Sequence, residues 1–173
     1  MGWGTDISET CPDKCIICLA PHTSNWDFII GTLYNGAESL GCGFLMKKDW
    51  FFWPMGSIFR RMGGIPVNRQ KHTSMTDTLA EQIRQADTFR LCITPEGTRK
   101  RVEEWKRGFY IIAQKAQIPI LLYGIDYEKK LIKCTKTVVT TGNMDSDMQQ
   151  IKLYFKDFKG RKPENFSIGE THQ

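Results

Sequence analysis

The chain has 173 residues, 40% hydrophobic and 12% aromatic, enough for one domain with a real core and too few for two ordinary ones. Its 24 basic and 19 acidic residues leave a net charge of +5, which permits an anionic partner such as a phosphate, a coenzyme or an anionic lipid surface without requiring one. No run approaches the roughly 18 apolar residues of a membrane-spanning helix, and no nucleic-acid-binding signature occurs.

The polar start "MGWGTDISETCPDKC" lacks the form of a signal peptide, and Asp6 stands where myristoylation needs Ser or Thr. The expectation is a cytoplasmic protein that touches a membrane without crossing it. "CIICLA" (15–20) reads as a buried strand and "NWDFIIGTLYNGA" (25–37) as a helix. "GFLMKK" (43–48) is strand-like; "DWFFWPMGSIFRRM" (49–62) is amphipathic but carries Pro54. "GIPVN" (64–68) is another strand. "TSMTDTLAEQIRQA" (73–86) is the clearest helix, with Ser74 and Asp77 in a capping-box pattern. "FRLCIT" (89–94), "IPILLYGIDY" (118–127) and "LIKCTKTVVT" (131–140) read as strands, the last two joined by a tight "EKK". "GFYIIAQKA" (108–116) and "DMQQIKLYFKDF" (147–158) read as helices, the latter with Met148, Ile151, Tyr154, Phe155 and Phe158 on one face.

The alternation implies a single α/β domain over 1–173, with a central mixed, mostly parallel sheet flanked by helices. Its core runs from about 15 to 158, and 159–173 is a polar, frayed tail. Of the six cysteines, Cys11, Cys15 and Cys18 are close enough in sequence to raise a metal site. No second Cys or His pair follows at zinc spacing, so small apolar residues in strand and core are the better reading, and no metal is expected.

The stretch "PHTSNWDFIIG" places His22 just after a strand and Asp27 in the first turn of a helix. Five residues along one helix are about 140° apart, so a straight helix does not pair them. With His22 in the loop, the turn into the helix brings the carboxylate onto one imidazole nitrogen and leaves the other free as a base. The alternative is that Asp27 only closes a capping box with Ser24, His22 being a loop residue. "GGIPVNR" ends in Arg69, "ITPEGTRKR" follows a strand with Glu96, Gly97, Thr98 and Arg99, and "WKRGFYIIA" puts Lys106 and Arg107 at a helix start. These are strand ends, where α/β sheets bind ligands, and both guanidinium forks and helix N-termini suit phosphate. Otherwise they are solvated surface charges, with Glu96 pairing an arginine.

The order H-x4-D, G-G-I-x-V-x-R, P-E-G-T-R and I-P-I, from about Pro21 to Asp126, resembles the glycerophospholipid acyltransferase family, the PlsC-type lysophosphatidic acid acyltransferases. The chain looks most like the short bacterial members known as glycerol acyltransferases. The resemblance implies a PlsC-like fold and an O-acyltransferase that moves a fatty acyl group from acyl-CoA or acyl-ACP to a glycerophospholipid precursor such as 1-acyl-sn-glycerol 3-phosphate. It implies His22 as general base and Asp27 as its orienting partner. Arg69, Glu96, Gly97, Thr98 and Arg99 would lie at the acceptor's phosphate, with Glu96 holding an arginine or an acceptor hydroxyl. Pro119 would shape the site, and Lys106 is added as a second phosphate contact. No cofactor beyond the acyl donor is implied, and backbone N–H groups near the start of the His22 helix or nearby cations would stabilise the oxyanion. A catalytically idle lipid- or acyl-thioester-binding protein, or a thioesterase, are the alternatives. Thr94 stands where the family usually has an apolar residue, and Leu122 and Tyr123 where it has a second proline.

Trp50, Phe51, Phe52 and Trp53 cannot all face one core on a helix. With Lys47 and Lys48 before them and Arg60 and Arg61 after, they suit a peripheral membrane surface. The competing reading is a core helix broken at Pro54.

Overall fold

The computed structural model describes residues 2–67 and 72–169. Strand β2 (Lys14–Ala20) lies at the centre of the sheet, between β5 (Phe89–Ile93) and β6 (Ile120–Asp126), both parallel to it. Beyond β5 come β3 (Gly43–Lys47) and then β4 (Gly64–Val67), also parallel. On the far side, β7 (Leu131–Cys134) and β8 (Thr137–Val138) both run antiparallel to β6. The expected 131–140 strand is thus two short strands on one partner, with Lys136 O between them accepting from Leu122 N. An edge strand that the polar N-terminus gives no sign of, β1 (Gly4–Ile7), pairs parallel with β7. The sheet is mixed and mostly parallel, as expected.

Alternation along β2 feeds two cores, because successive side chains leave a strand on opposite faces. Ile16, Cys18 and Ala20 face one layer with α3 (His72–Gln85), α4 (Gly108–Ala116) and α5 (Met144–Tyr154). Cys15 and Ile17 face the other, covered by α1 (Asn25–Ala37) through Ile30 and Tyr34. Every residue of β6 is buried, the mark of a strand covered on both faces. All six cysteines are free thiols, and five of them (Cys11, Cys15, Cys42, Cys92 and Cys134) share the α1-side layer.

Several boundaries differ from expectation. Helix α2 (Met55–Arg61) begins after Pro54, because proline lacks the N–H that an interior position must donate. A 3₁₀ turn, Lys48–Trp50, precedes it. Helix α3 starts at His72, so Ser74 is inside it rather than capping it, and Asp77 reaches across to Lys115 of α4 at 2.5 Å. Helix α5 starts at Met144, since Asn143 Oδ1 accepts from Ser146 N at 3.2 Å and sets the first turn. Phe155 and Phe158 are buried just past its end.

Residues 159–169 are not a frayed tail. Tyr127 N donates to Lys159 O at 2.8 Å, and Trp105 Nε1 donates to Ser167 O at 2.9 Å. Phe166 packs 6.2 Å from the Trp105 ring. Among the described residues, no helix is long and apolar enough to cross a membrane.

Candidate active site

Three adjacent parallel strands end side by side: β2 leads into His22, β5 into Glu96 and β6 into Tyr127. Ser24 is the N-cap of α1, its Oγ accepting from Trp26 N at 3.0 Å. Asp27, at the third helical position, closes the capping box from the other side: its Oδ2 accepts from Ser24 N at 2.8 Å and from Thr23 N at 2.7 Å. The same oxygen lies 3.3 Å from His22 Nδ1. The two readings of Asp27 are therefore not alternatives. One carboxylate caps the helix and approaches the imidazole, because the chain turns at Thr23 and Ser24.

Nδ1 is buried without an aligned hydrogen bond among the described residues, while 19% of the His22 side chain is exposed, so the exposed part is the rest of the ring. Tyr127 OH donates to Asp27 Oδ1 at 2.6 Å. Burial opposes a charge on Asp27, but contacts from His22, Tyr127 and the Ser24 and Thr23 N–H groups outweigh it and hold the carboxyl below its usual range. Burial, and then the Asp27 hydrogen bond, push the Tyr127 phenol up.

Glu96 sits in a tight turn in which Gly97 N donates to Thr94 O at 3.1 Å, with Pro95 at the second position and Gly97 at φ +66°. Its side chain is only 3% exposed. Oε1 accepts from His22 N at 2.8 Å; Oε2 has no hydrogen-bond partner among the described residues. Glu96 therefore braces the histidine's own backbone. Arg99 is not its partner: that guanidinium donates to Asn25 Oδ1 in the first turn of α1. Burial raises the Glu96 carboxyl to about 7, against the smaller opposing pull of the His22 N–H.

The family profile described as Acyltransferase matches residues 5–125. The chain belongs to the acyltransferase family. No curated protein matches this acyltransferase at a significant level. Among solved structures, the 1-acyl-sn-glycerophosphate (LPA) acyltransferase PlsC from Thermotoga maritima superposes with a TM-score of 0.54 at 16% identity, over 91% of this chain and 75% of that one. At that identity the likeness is one of fold.

In this acyltransferase the structure brings His22, Asp27, Glu96 and Arg99 together at one sheet edge. Thr98 Oγ1 accepts from Lys100 N at 3.3 Å within the same loop. Lys106 is exposed; its N donates to Pro95 O at 2.7 Å, and its stem lies over Gly97, where an added Cβ would meet Lys106 Cγ at 3.3 Å. Arg69 lies outside the described residues. Pro119 is at the opposite sheet edge: it precedes β6, whose Ile120 pairs with Ile16, four residues before Ala20, and Pro119 O accepts from Ile16 N.

Sequence reasoning missed Tyr127 and the residues after Lys159. Lys162 N donates to Thr23 Oγ1 at 3.2 Å, and the Arg161 guanidinium stands 4.9 Å from the centre of the Trp26 ring. The one available signal was Tyr127's place directly after a buried strand. An apolar cavity opens beside Asp27 between α1 and the sheet, lined by Leu19, Phe28, Phe44, Met62, Cys92 and Tyr123 among others.

Proposed function

We propose that this chain is an O-acyltransferase that moves a fatty acyl group from an acyl thioester, acyl-CoA or acyl-ACP, to a hydroxyl of a glycerophospholipid precursor, with 1-acyl-sn-glycerol 3-phosphate as the acceptor. The observation that carries it is the buried approach of His22 Nδ1 to Asp27 Oδ2 at 3.3 Å, with the rest of the ring reaching the surface. The acceptor hydroxyl gives its proton to the outer imidazole nitrogen while its oxygen attacks the thioester carbonyl. The tetrahedral intermediate collapses and expels the thiol. Asp27 fixes the ring's orientation and stabilises the imidazolium as it forms. A catalytic hydrogen bond commonly tightens once substrate binds, so 3.3 Å is compatible with this role.

The oxyanion is not served by the N–H groups of His22, Thr23, Ser24 and Trp26, which already point at Glu96, Asp27 and Ser24. Cationic groups at the rim supply that charge and the phosphate contact: Arg99, Lys106, and Arg161 beside Trp26. The apolar cavity beside Asp27 suits the acyl chain.

The bilayer is the proposed source of the acceptor. Trp53 is 88% exposed, and Phe52 and Ile58 are also exposed beside Arg60 and Arg61. Trp26, Ile29 and Leu33 form an exposed apolar row on α1. Purified protein given labelled acyl thioesters and a panel of lysophosphatidic acid, glycerol 3-phosphate and uncharged lipid acceptors, with products read by mass spectrometry, tests the proposal. An acylated lysophosphatidic acid supports it. Free fatty acid alone would indicate a thioesterase, and no turnover an idle binding protein.

A further inference from the structure

Where the loop after β1 enters β2, two thiols lie side by side. Cys11 Sγ and Cys15 Sγ are 3.7 Å apart. Cys11 is half-buried and Cys15, near the start of β2, is fully buried. The loop is pinned rather than loose. Arg90 of β5 donates to Pro12 O at 2.8 Å, to Asp13 Oδ1 at 3.0 Å and to Leu40 O at 2.7 Å. Before it, Ser8 N donates to Cys134 O at 3.0 Å.

We infer that Cys11 and Cys15 form a reversible redox pair, with Cys11 as the reacting thiol and Cys15 as the thiol that resolves it. Closing the bond to the usual sulfur–sulfur length brings the two atoms together by about 1.7 Å, a movement the half-exposed Cys11 side makes while Cys15 stays in its strand. The site is roughly 17 Å back along β2 from the end that carries His22, so it is separate from the acyl-transfer centre.

The electrostatics agree with that division of labour. The Cys15 thiol hydrogen-bonds to Cys11 and, with Arg90, lowers Cys11 to about 7 against burial and the Asp13 carboxylate. That contact, followed by burial, drives Cys15 well above the ordinary thiol range. Cys42 also faces the pair, and Tyr34, Tyr123 and Cys134 lie further off in the same layer. Cys11 thus has substantial thiolate near neutrality, and the thiolate is the nucleophile.

The co-reactant is a hydroperoxide. The Cys11 thiolate attacks one peroxide oxygen, breaking the O–O bond, to give a sulfenic acid and hydroxide. Cys15 sulfur then attacks the sulfenic sulfur; the S–O bond breaks and the hydroxyl leaves as water with the Cys15 proton. Two thiols lose two electrons and two protons, and hydrogen peroxide becomes two waters. Oxidation of Cys11 to a neutral sulfenic acid also removes the thiolate that raised Cys15, so the second step is favoured once the first is complete.

The experiment treats the full-length protein with hydrogen peroxide, alkylates the remaining thiols, and digests with trypsin. Lys14 lies between the two cysteines, so a Cys11–Cys15 bond leaves two tryptic peptides covalently joined. The expected result is that joined pair, about 2 Da lighter than the sum of its reduced halves and separated again by dithiothreitol. Cys11→Ser and Cys15→Ala should each lose it, and Cys15→Ala should stop at a sulfenic acid at Cys11, trapped by dimedone. Because Cys15 is fully buried, circular dichroism accompanies that variant. Should it not fold, the pH dependence of Cys11 alkylation in wild-type protein stands in, with a midpoint near 7 expected. Overturning results are sulfinic acid at Cys11 with no joined peptides, a joined pair that survives Cys11→Ser, or an alkylation midpoint at the ordinary thiol value.

Discussion

Removing the His22 imidazole takes away the proposed base without touching the cap of α1, which rests on Ser24 and Asp27. His22→Ala should therefore lower turnover by at least ~100-fold with the fold intact, as steady-state kinetics beside circular dichroism would show. Asp27→Asn is a harsher change. The carboxylate accepts from two backbone N–H groups on one oxygen and from Tyr127 on the other. An amide has one acceptor oxygen, so its NH₂ must face donors on one side. Tyr127→Phe is the cleaner probe: it deletes one half-buried hydrogen bond to the Asp27 carboxylate and should cost about 1–3 kcal/mol in urea unfolding. It should also lower turnover less than His22→Ala does.

Glu96 gives a pH signature. Its folded carboxyl sits near 7, above its ordinary value, so its contribution to stability is complete in acid and is lost as pH rises through about 7. Glu96→Gln keeps the acceptor for His22 N–H and removes the titration. The variant should gain on wild type between pH 5 and pH 8, by on the order of 1–3 kcal/mol, in denaturant midpoints measured across that range. A wild-type advantage that grows with pH would contradict this. The histidine–carboxylate pair was legible because five positions across a strand–helix junction leave few geometries. The brace was not, because its partner is a backbone N–H 74 residues away, and Tyr127 meets Asp27 across 100 residues of chain. No local pattern encodes either.

At the level of elements, hydrophobic periodicity located the strands and helices of the sheet layer well, since burial on known faces writes itself into the sequence. It failed where polar side chains made the decision. The pattern Ser74–Asp77 looked like a cap, but Asp77 is used between helices, toward Lys115. β1 carries too few apolar residues to announce itself and is held by pairing with β7. The stretch after Phe158 is mostly polar yet settled on the core, because backbone hydrogen bonds hold it and Phe166 and Ile168 pack against the core. Gly160 shows how closely it lies: a Cβ there would meet Thr23 Oγ1 at 2.8 Å and Pro21 Cβ at 3.2 Å. Gly160→Ala should push on the Thr23 turn and destabilise the protein by about 1–3 kcal/mol. Turnover should fall with it, whereas an equivalent change at Gly36, where nothing lies within 4 Å, should leave turnover unchanged.

For the whole molecule, the cavity takes Phe28 from α1, Phe44 from β3 and Met62 after α2, so the helix with the exposed apolar row and the end of α2 both contribute to its lining. Phe28 and Phe44 meet edge-on at 4.9 Å. The chain thus exposes apolar side chains on α1 and before α2, with Arg60 and Arg61 near the latter and a net charge of +5. Flotation with anionic vesicles should recover more protein than with neutral ones, and less as salt rises, because the basic contribution is screened. Trp53→Ser and Leu33→Ser should each reduce recovery and slow turnover on lipid acceptors more than on glycerol 3-phosphate. Protein wholly unbound at low salt would remove the docking role. In the sequence, the aromatic run and its flanking basic residues marked the α2 side as the docking candidate. The α1 side was hidden, since an apolar helix in an α/β chain reads as core on both faces.

The hydrogen bond from Lys162 to Thr23 has a bearing on synthesis. On the ribosome His22 emerges together with its strand and its cap, all encoded within a few residues. Tyr127, Gly160 and Lys162, which hold the turn around it, emerge more than a hundred residues later. A nascent chain carrying the complete histidine motif therefore lacks its clamp, and the turn around His22 takes its final form only after that later segment has emerged. An arrest series of ribosome-bound chains would see this as Thr23 protected from proteolysis only once the segment around Lys162 has cleared the exit tunnel.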